Sequence, residues 1–301
     1  METAYKKQVS LLLDVLPEVA KESCFALHGG TAINLFVRNM PRLSADIDLT
    51  YVPIEDRNTS IANINQALLR IKNYIEAIKV GVRIVHQDNV CKLQVSMDGA
   101  QIKIEVNIVG RGALESPQKY SLCDKAQQTF DAYCSMSLVS IGQLYGGKIC
   151  AALDRQHPRD LFDVKLLLEN EGFAEQIKQG FLLGLISSDR PMHELLMPRL
   201  QDQRLAFENQ FVGMTDEPFT YDDYESVRHE IIKEVRQSLT EQDKSFLVSV
   251  NSGNPDWHIY AFDQFPAVQW KLQNLNKLIN ANPNKHQEQS DSLHKTLSDE
   301  G

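Results

Sequence analysis

His28-Gly29-Gly30-Thr31-Ala32 and, fifteen residues after the threonine, Asp46-Ile47-Asp48-Leu49-Thr50-Tyr51 decide the reading of this chain. The first stretch follows a short apolar run, Cys24 to Leu27, and leads into a helical segment, Ala32 to Arg38. That order predicts a strand, a tight turn and a helix. Two glycines let a backbone pass close to a bulky group and adopt positive φ. Thr31 suits a helix N-cap, and the N–H groups of a helix start attract phosphate. The second stretch alternates polar and apolar residues, as a half-buried strand does. Positions i and i+2 of a strand share a face. Asp46 and Asp48 therefore project together, while Ile47 and Leu49 anchor the other face in the core. Two carboxylates held this close repel unless a cation lies between them, and Mg²⁺ accepts carboxylate and phosphate oxygens together.

Outward from this pair, Val9, Leu12, Leu13 and Leu16 form one stripe of a helix expected over 4–20. Ile61, Ile64, Leu68, Ile71, Ile75 and Ile78 recur every three or four residues and predict an amphipathic helix. Strands are expected at 81–86, 91–97 and 101–109. In the last, Ile102, Ile104, Val106 and Ile108 share one face, and Lys103, Glu105 and Asn107 the other. Glu105 is thus a candidate third carboxylate for the metal. From about residue 140 the period becomes helical, with helices expected at 140–153, 159–169, 172–186, 192–211 and 222–239. The expected fold is α/β (α+β): a mixed sheet flanked by helices over 1–135, a mostly helical part over 136–280, and a loose polar tail over 281–301.

Two of these helices carry further chemistry. Lys148 and Arg155 are seven residues apart, two turns, and share a face with Ala151 and Ala152, which would let that face pack closely. Arg159-Asp160 and Asp163 follow on the next helix. A lysine aimed at a nucleoside triphosphate would hold its β- and γ-phosphates. Taken singly, each element has a plain structural reading. These are a capped turn, an edge strand with two solvated aspartates, a glutamate facing Lys103 or Asn107, and a surface ion-pair ladder.

The net charge of −9 is unevenly spread: residues 1–165 hold 19 Lys and Arg against 18 Asp and Glu, and the remainder 12 against 22. A local basic groove in the first half is therefore permitted, and with it a nucleic-acid substrate. Five scattered cysteines without a CxxC pair fit reduced thiols better than a disulfide frame or zinc site. The eight histidines form no metal-spaced pair, and His28 reads as a structural hydrogen-bonder. The polar first ten residues lack a signal-peptide core, and no apolar run reaches the ~20 residues of a membrane span. A cytoplasmic protein with no membrane partner is expected.

Together the Gly-Gly-Thr turn, the same-face aspartates and a third acidic strand resemble the polymerase-β-like nucleotidyltransferase core. His28 to Ala32 with Ser44-Ala45-Asp46-Ile47-Asp48-Leu49 is more specifically similar to the AbiEii-type nucleotidyltransferase toxins of bacterial toxin–antitoxin systems. So are Lys148-Ile149-Cys150-Ala151-Ala152-Leu153-Asp154-Arg155 and Arg159-Asp160-Leu161-Phe162-Asp163-Val164. Phe211-Val212-Gly213-Met214-Thr215 and Pro266-Ala267-Val268-Gln269-Trp270-Lys271-Leu272 extend the likeness over about residues 25–275. The resemblance implies a nucleotidyltransferase core with a helical C-terminal part. Asp46 and Asp48, with Glu105, would hold two Mg²⁺ ions. Gly29, Gly30 and Thr31 would cradle the triphosphate, and Lys148 with Arg155 would contact the nucleotide. Asp160 or Asp163 would be essential. Similar toxins add nucleotides to the 3′ end of tRNA, and a neighbouring gene usually encodes the antitoxin. AMPylation-type transfer to a protein side chain or a small molecule, or a non-catalytic binding protein that kept the fold, are the alternatives. Many nucleotidyltransferases carry Ser where Thr31 stands here, and Thr retains the hydroxyl.

Overall fold

The computed structural model describes residues 3–298 and divides the chain into two compact units. The first unit runs to Ser140 and regains Phe211–Pro218. It opens on α1 (Thr3–Val19), whose Val9, Leu12, Leu13 and Leu16 are buried as their spacing predicts. Then come β1 (Phe25–His28), the short α2 (Gly29–Ala32) with a π-helical turn over Ile33–Val37, β2 (Asp46–Tyr51) and α3 (Arg57–Ile78). The Asp56 side chain caps α3 by accepting from the Asn58 and Thr59 N–H groups, so the helix starts earlier than its apolar stripe. Ile64, Leu68, Ile71 and Ile75 are fully buried, whereas Ile78, at the fraying end, is 51% exposed.

Strands β3 (Arg83–Gln87), β4 (Lys92–Met97), β5 (Ala100–Asn107) and β6 (Gln118–Ser121) follow, then α4 (Asp124–Phe130) and β7 (Ser135–Leu138). The seven strands form one sheet in the order β3-β4-β5-β2-β1-β7-β6. Two pairings are parallel, β2 with β5 and β1 with β7; the others are antiparallel. Helices α1 and α3 pack on the sheet. Only one face of β5 is buried, that of Ile102, Ile104 and Val106, so this is the face α1 covers. Strands β6 and β7 escape the sequence reading because each is four residues long, and β6 is polar throughout. Strand β7 belongs to the sheet, and the first unit runs on to Ser140.

The second unit comprises Ile141–Gln210 and the chain from Phe219 on. Its helices are α5 (Ile141–Arg155), α6 (Pro158–Asn170), α7 (Glu175–Ser187), α8 (Met192–Leu196), α9 (Arg204–Gln210), α10 (Tyr221–Ser238), α11 (Glu241–Asn251), α12 (Pro266–Ala281) and α13 (Pro283–Ser298). The helical stretch expected through 192–211 is two short helices, because Pro198 cannot continue α8. Residues 283–298, expected within a loose tail, form α13, which packs on α8, α11 and α12 and buries Leu293, Thr296 and Leu297. Ala281 closes α12 and Asn282 caps it, and 299–301 of that expectation lie outside the described residues.

Close packing of α5 comes from glycines rather than from Ala151 and Ala152. A Cβ on Gly180 of α7 would overlap the Gly142 carbonyl, and one on Gly146 would overlap the backbone of Gly180 and Phe181. The two backbones touch, which fixes the helix that bears Lys148. Gly180→Ala should therefore force the helices apart and lower stability by about 3 kcal/mol, the upper part of the overpacking range. Urea unfolding checks this, and a wild-type midpoint would show that the contact is loose.

Candidate active site

In the first unit the strand register assembles the predicted turn and aspartates. His28 pairs with Asp48 across β1 and β2, and Asp48 pairs with Glu105 across β2 and β5. Ile47 and Leu49 are fully buried, and Asp46 and Asp48 stand half-buried on the opposite face. Gly29 has a φ of +73°, a left-handed conformation natural to glycine. A Cβ on it would lie 2.5 Å from Asp48 Oδ2. The turn's backbone thus passes directly over the carboxylate. His28 Nδ1 lies 3.0 Å from the Thr50 hydroxyl.

Thr31 does something other than expected. The N-cap position is His28, and no side chain caps the short helix. Thr31 is fully buried; its hydroxyl donates to the Asp46 carbonyl at 2.5 Å and lies 3.1 Å from Ser44 Oγ. It ties the turn to the aspartate strand and offers no side-chain oxygen to a phosphate. Glu105 is also diverted. It sits beside Asp48 on the same face, but Lys92 of β4 takes its carboxylate in an ion pair. Among the described residues no group of three His, Cys, Asp or Glu side chains is placed to hold a metal ion. Asp46 and Asp48 are the same-face carboxylates nearest the turn. That fits Mg²⁺, which keeps several waters and is commonly held by one or two carboxylates plus substrate phosphates.

The second unit gathers the other predicted residues into a buried ionic cluster. Lys148 on α5 is 7% exposed, and Asp160 and Asp163, three apart on α6, point at it. Lys148 Nζ lies 2.9 Å from Asp160 Oδ1 and 3.0 Å from Asp163 Oδ2. Arg155 donates through Nε to Asp160 Oδ2 at 2.5 Å and through Nη2 to Oδ1 at 3.0 Å. Two cations meet two carboxylates. Lys148 was expected at the nucleotide phosphates; two of its three donors are instead spent inside the protein. Nor is the cluster a surface ladder, since only the Arg155 side chain, 61% exposed, reaches solvent. The α6 helix starts on His157, whose Nδ1 accepts from the Arg159 N–H.

Burial alone would raise the Asp160 carboxyl, but Lys148 and Arg155 outweigh it and hold the group well below its ordinary 3.8. A carboxyl depressed on folding stabilises the protein above its unfolded pKa and loses that contribution as pH falls toward the folded value. Stability should accordingly decline below about pH 4. Asp160→Asn should flatten that acid limb in urea unfolding followed from pH 6 to pH 3; an unchanged limb would place the titration elsewhere.

Cysteine chemistry finds no support. The five thiols are free, and burial pushes all of them up, Cys24 and Cys134 to about 11. Such thiols stay protonated near neutrality and are poor nucleophiles. No helix among the described residues is long and apolar enough to cross a membrane. One buried group beside the turn, Arg42, escaped the sequence reading, because an arginine in a polar loop gives no sign that it will be buried.

Residues 10–274 match the model of a family described as nucleotidyl transferase AbiEii toxin, type IV toxin–antitoxin system. No curated protein matches the chain. Among solved structures the fold is similar to that of MenT4, a nucleotidyltransferase toxin from Mycobacterium tuberculosis H37Rv. The TM-score is 0.62 at 12% identity, over 91% of this chain and 95% of that one.

Proposed function

The chain belongs to the AbiEii nucleotidyltransferase toxin family, and from that premise we propose that it moves a nucleoside monophosphate from a Mg²⁺-bound NTP to the 3′ end of tRNA. Nucleotidyl transfer, an NTP substrate and an antitoxin counterpart come with the family; the metal, the acceptor and the residue roles are our reading. The observation that carries it is the left-handed Gly29 backbone passing over Asp48, with Asp46 on the same face.

Asp46 and Asp48 hold the metal. A metal held there would supply Lewis-acid activation of the acceptor hydroxyl and charge stabilisation of the departing pyrophosphate. The Gly29 and Gly30 backbone lies along the triphosphate, and Thr31 keeps that backbone in register with the aspartates through the Asp46 carbonyl. Catalysis is then alignment and charge stabilisation, without a covalent enzyme intermediate. Lys148 and Arg155 balance Asp160 and Asp163 as the support, and Arg155 is the solvent-exposed member of that cluster. The near-balanced charge of residues 1–165 is compatible with RNA.

Incubating the protein with total tRNA, Mg²⁺ and each α-labelled NTP, beside an Asp46→Asn/Asp48→Asn double variant, tests this. Label on RNA from the wild type alone is expected. Label on protein or on a small molecule would change the acceptor, and equal labelling by the double variant would remove the metal assignment.

A further inference from the structure

The loop before β2 holds a cation that the mechanism above does not use. Arg42 is 2% exposed, and its Nη1 donates to the Leu43 carbonyl at 2.9 Å. A Cβ on Gly30 would stand 2.8 Å from Arg42 Nη2 and 2.9 Å from Ser44 Oγ. The guanidinium and the Ser44 hydroxyl therefore occupy the space that the missing side chain of Gly30 leaves. The preceding glycine abuts Asp48 in the same manner. Two consecutive glycines thus bring one length of backbone first against a carboxylate and then against a guanidinium.

A buried arginine stays charged, so its placement is costly and has to be enforced. Two features enforce it. Met40, 1% exposed, adopts a left-handed φ of 53° and turns the chain inward two residues earlier. Strain of this kind in a non-glycine residue persists only where the surroundings impose it. The segment Phe211–Pro218 then returns to the first unit and grips the loop. Arg42 forms an antiparallel bridge with Thr215, the Leu43 N–H donates to the Met214 carbonyl at 2.8 Å, and the Thr215 hydroxyl donates to the Pro41 carbonyl at 2.8 Å.

We propose that Arg42 is a positioning residue of the nucleotide site: it seats the Gly29–Gly30 backbone for the triphosphate, and residues 211–218 are the clamp that seats Arg42. The inference rests on the nucleotidyltransfer reading. Its ligand is the polyphosphate of an NTP. The guanidinium, packed against Gly30, sets the path of the backbone that receives it.

The test titrates wild type, Arg42→Met, Arg42→Lys and Thr215→Val with Mg-ATP, Mg-CTP, Mg-GTP and Mg-UTP by calorimetry, without acceptor. Thermal unfolding without nucleotide, and KM and kcat with the preferred NTP, are measured on the same samples. Arg42→Met should weaken NTP binding about tenfold or more and raise KM more than it lowers kcat, with Arg42→Lys restoring part of the loss. Thr215→Val should weaken binding about threefold at an unchanged melting temperature. Should Arg42→Met fail to fold, Thr215→Val carries the test, since it removes a single hydroxyl. Wild-type affinity in the folded variants overturns the inference alone, as does a loss that merely tracks melting temperature and is not relieved by lysine. A wild-type protein that binds none of the four nucleotides overturns the nucleotide site itself, and this inference with it.

Discussion

Asp48→Asn lowers nucleotidyl transfer by about 10³-fold, some 4 kcal/mol of transition-state stabilisation, at an unchanged or raised thermal midpoint. The argument is electrostatic and local. Asp48 is central to the turn: His28 and Glu105 flank it in register, and the Gly29 backbone runs over its Oδ2. An amide keeps the shape and loses the charge that holds a hard cation. Glu105, on the same face, is engaged by Lys92. Removing one of two neighbouring like charges relieves repulsion, so the fold does not weaken. Transfer of α-labelled nucleotide, measured beside circular dichroism melting, checks both halves. A variant within tenfold of wild type would take the metal away from Asp48. A variant that lost both activity and fold would make Asp48 a structural residue.

What could be read in the sequence followed from chemistry that is local in the chain. Alternation placed Asp46 and Asp48 on one face, and the three-and-four spacing of Ile64, Leu68, Ile71 and Ile75 located α3. What the sequence does not show depends on partners distant in the chain. Glu105 has the right face, but Lys92 opposite it in β4 cannot be seen without the strand register. Thr31 has the composition of an N-cap, yet its hydroxyl turns to a carbonyl fifteen residues away. Helix α13 was hidden by polar composition, since two leucines and a threonine suffice once α8, α11 and α12 offer a surface. Phe211–Thr215 carried the family likeness, but only the fold shows that it closes on Pro41, Arg42 and Leu43.

Lys148 shows the same limit at its sharpest, and its prediction reverses with the structure. A lysine whose task is to hold phosphates would, when replaced, impair NTP use and leave folding alone. The buried cluster requires the opposite order. Lys148→Met keeps the length and apolar stem of the side chain and deletes the charge. Asp163, 0% exposed, then loses its Lys148 partner, and Asp160 retains Arg155. Breaking a buried pair from one side costs about 3–5 kcal/mol, because the remaining charge is left uncompensated. Urea unfolding should show that loss directly. Adding Asp160→Asn and Asp163→Asn to Lys148→Met should recover much of it, since both carboxylates that faced the lysine are then neutral. Wild-type unfolding by Lys148→Met with a raised KM for NTP would return Lys148 to the nucleotide. Lost stability that the two asparagines restore would identify it as the counter-ion that holds α5 and α6 together, with catalysis dependent on it only through that support.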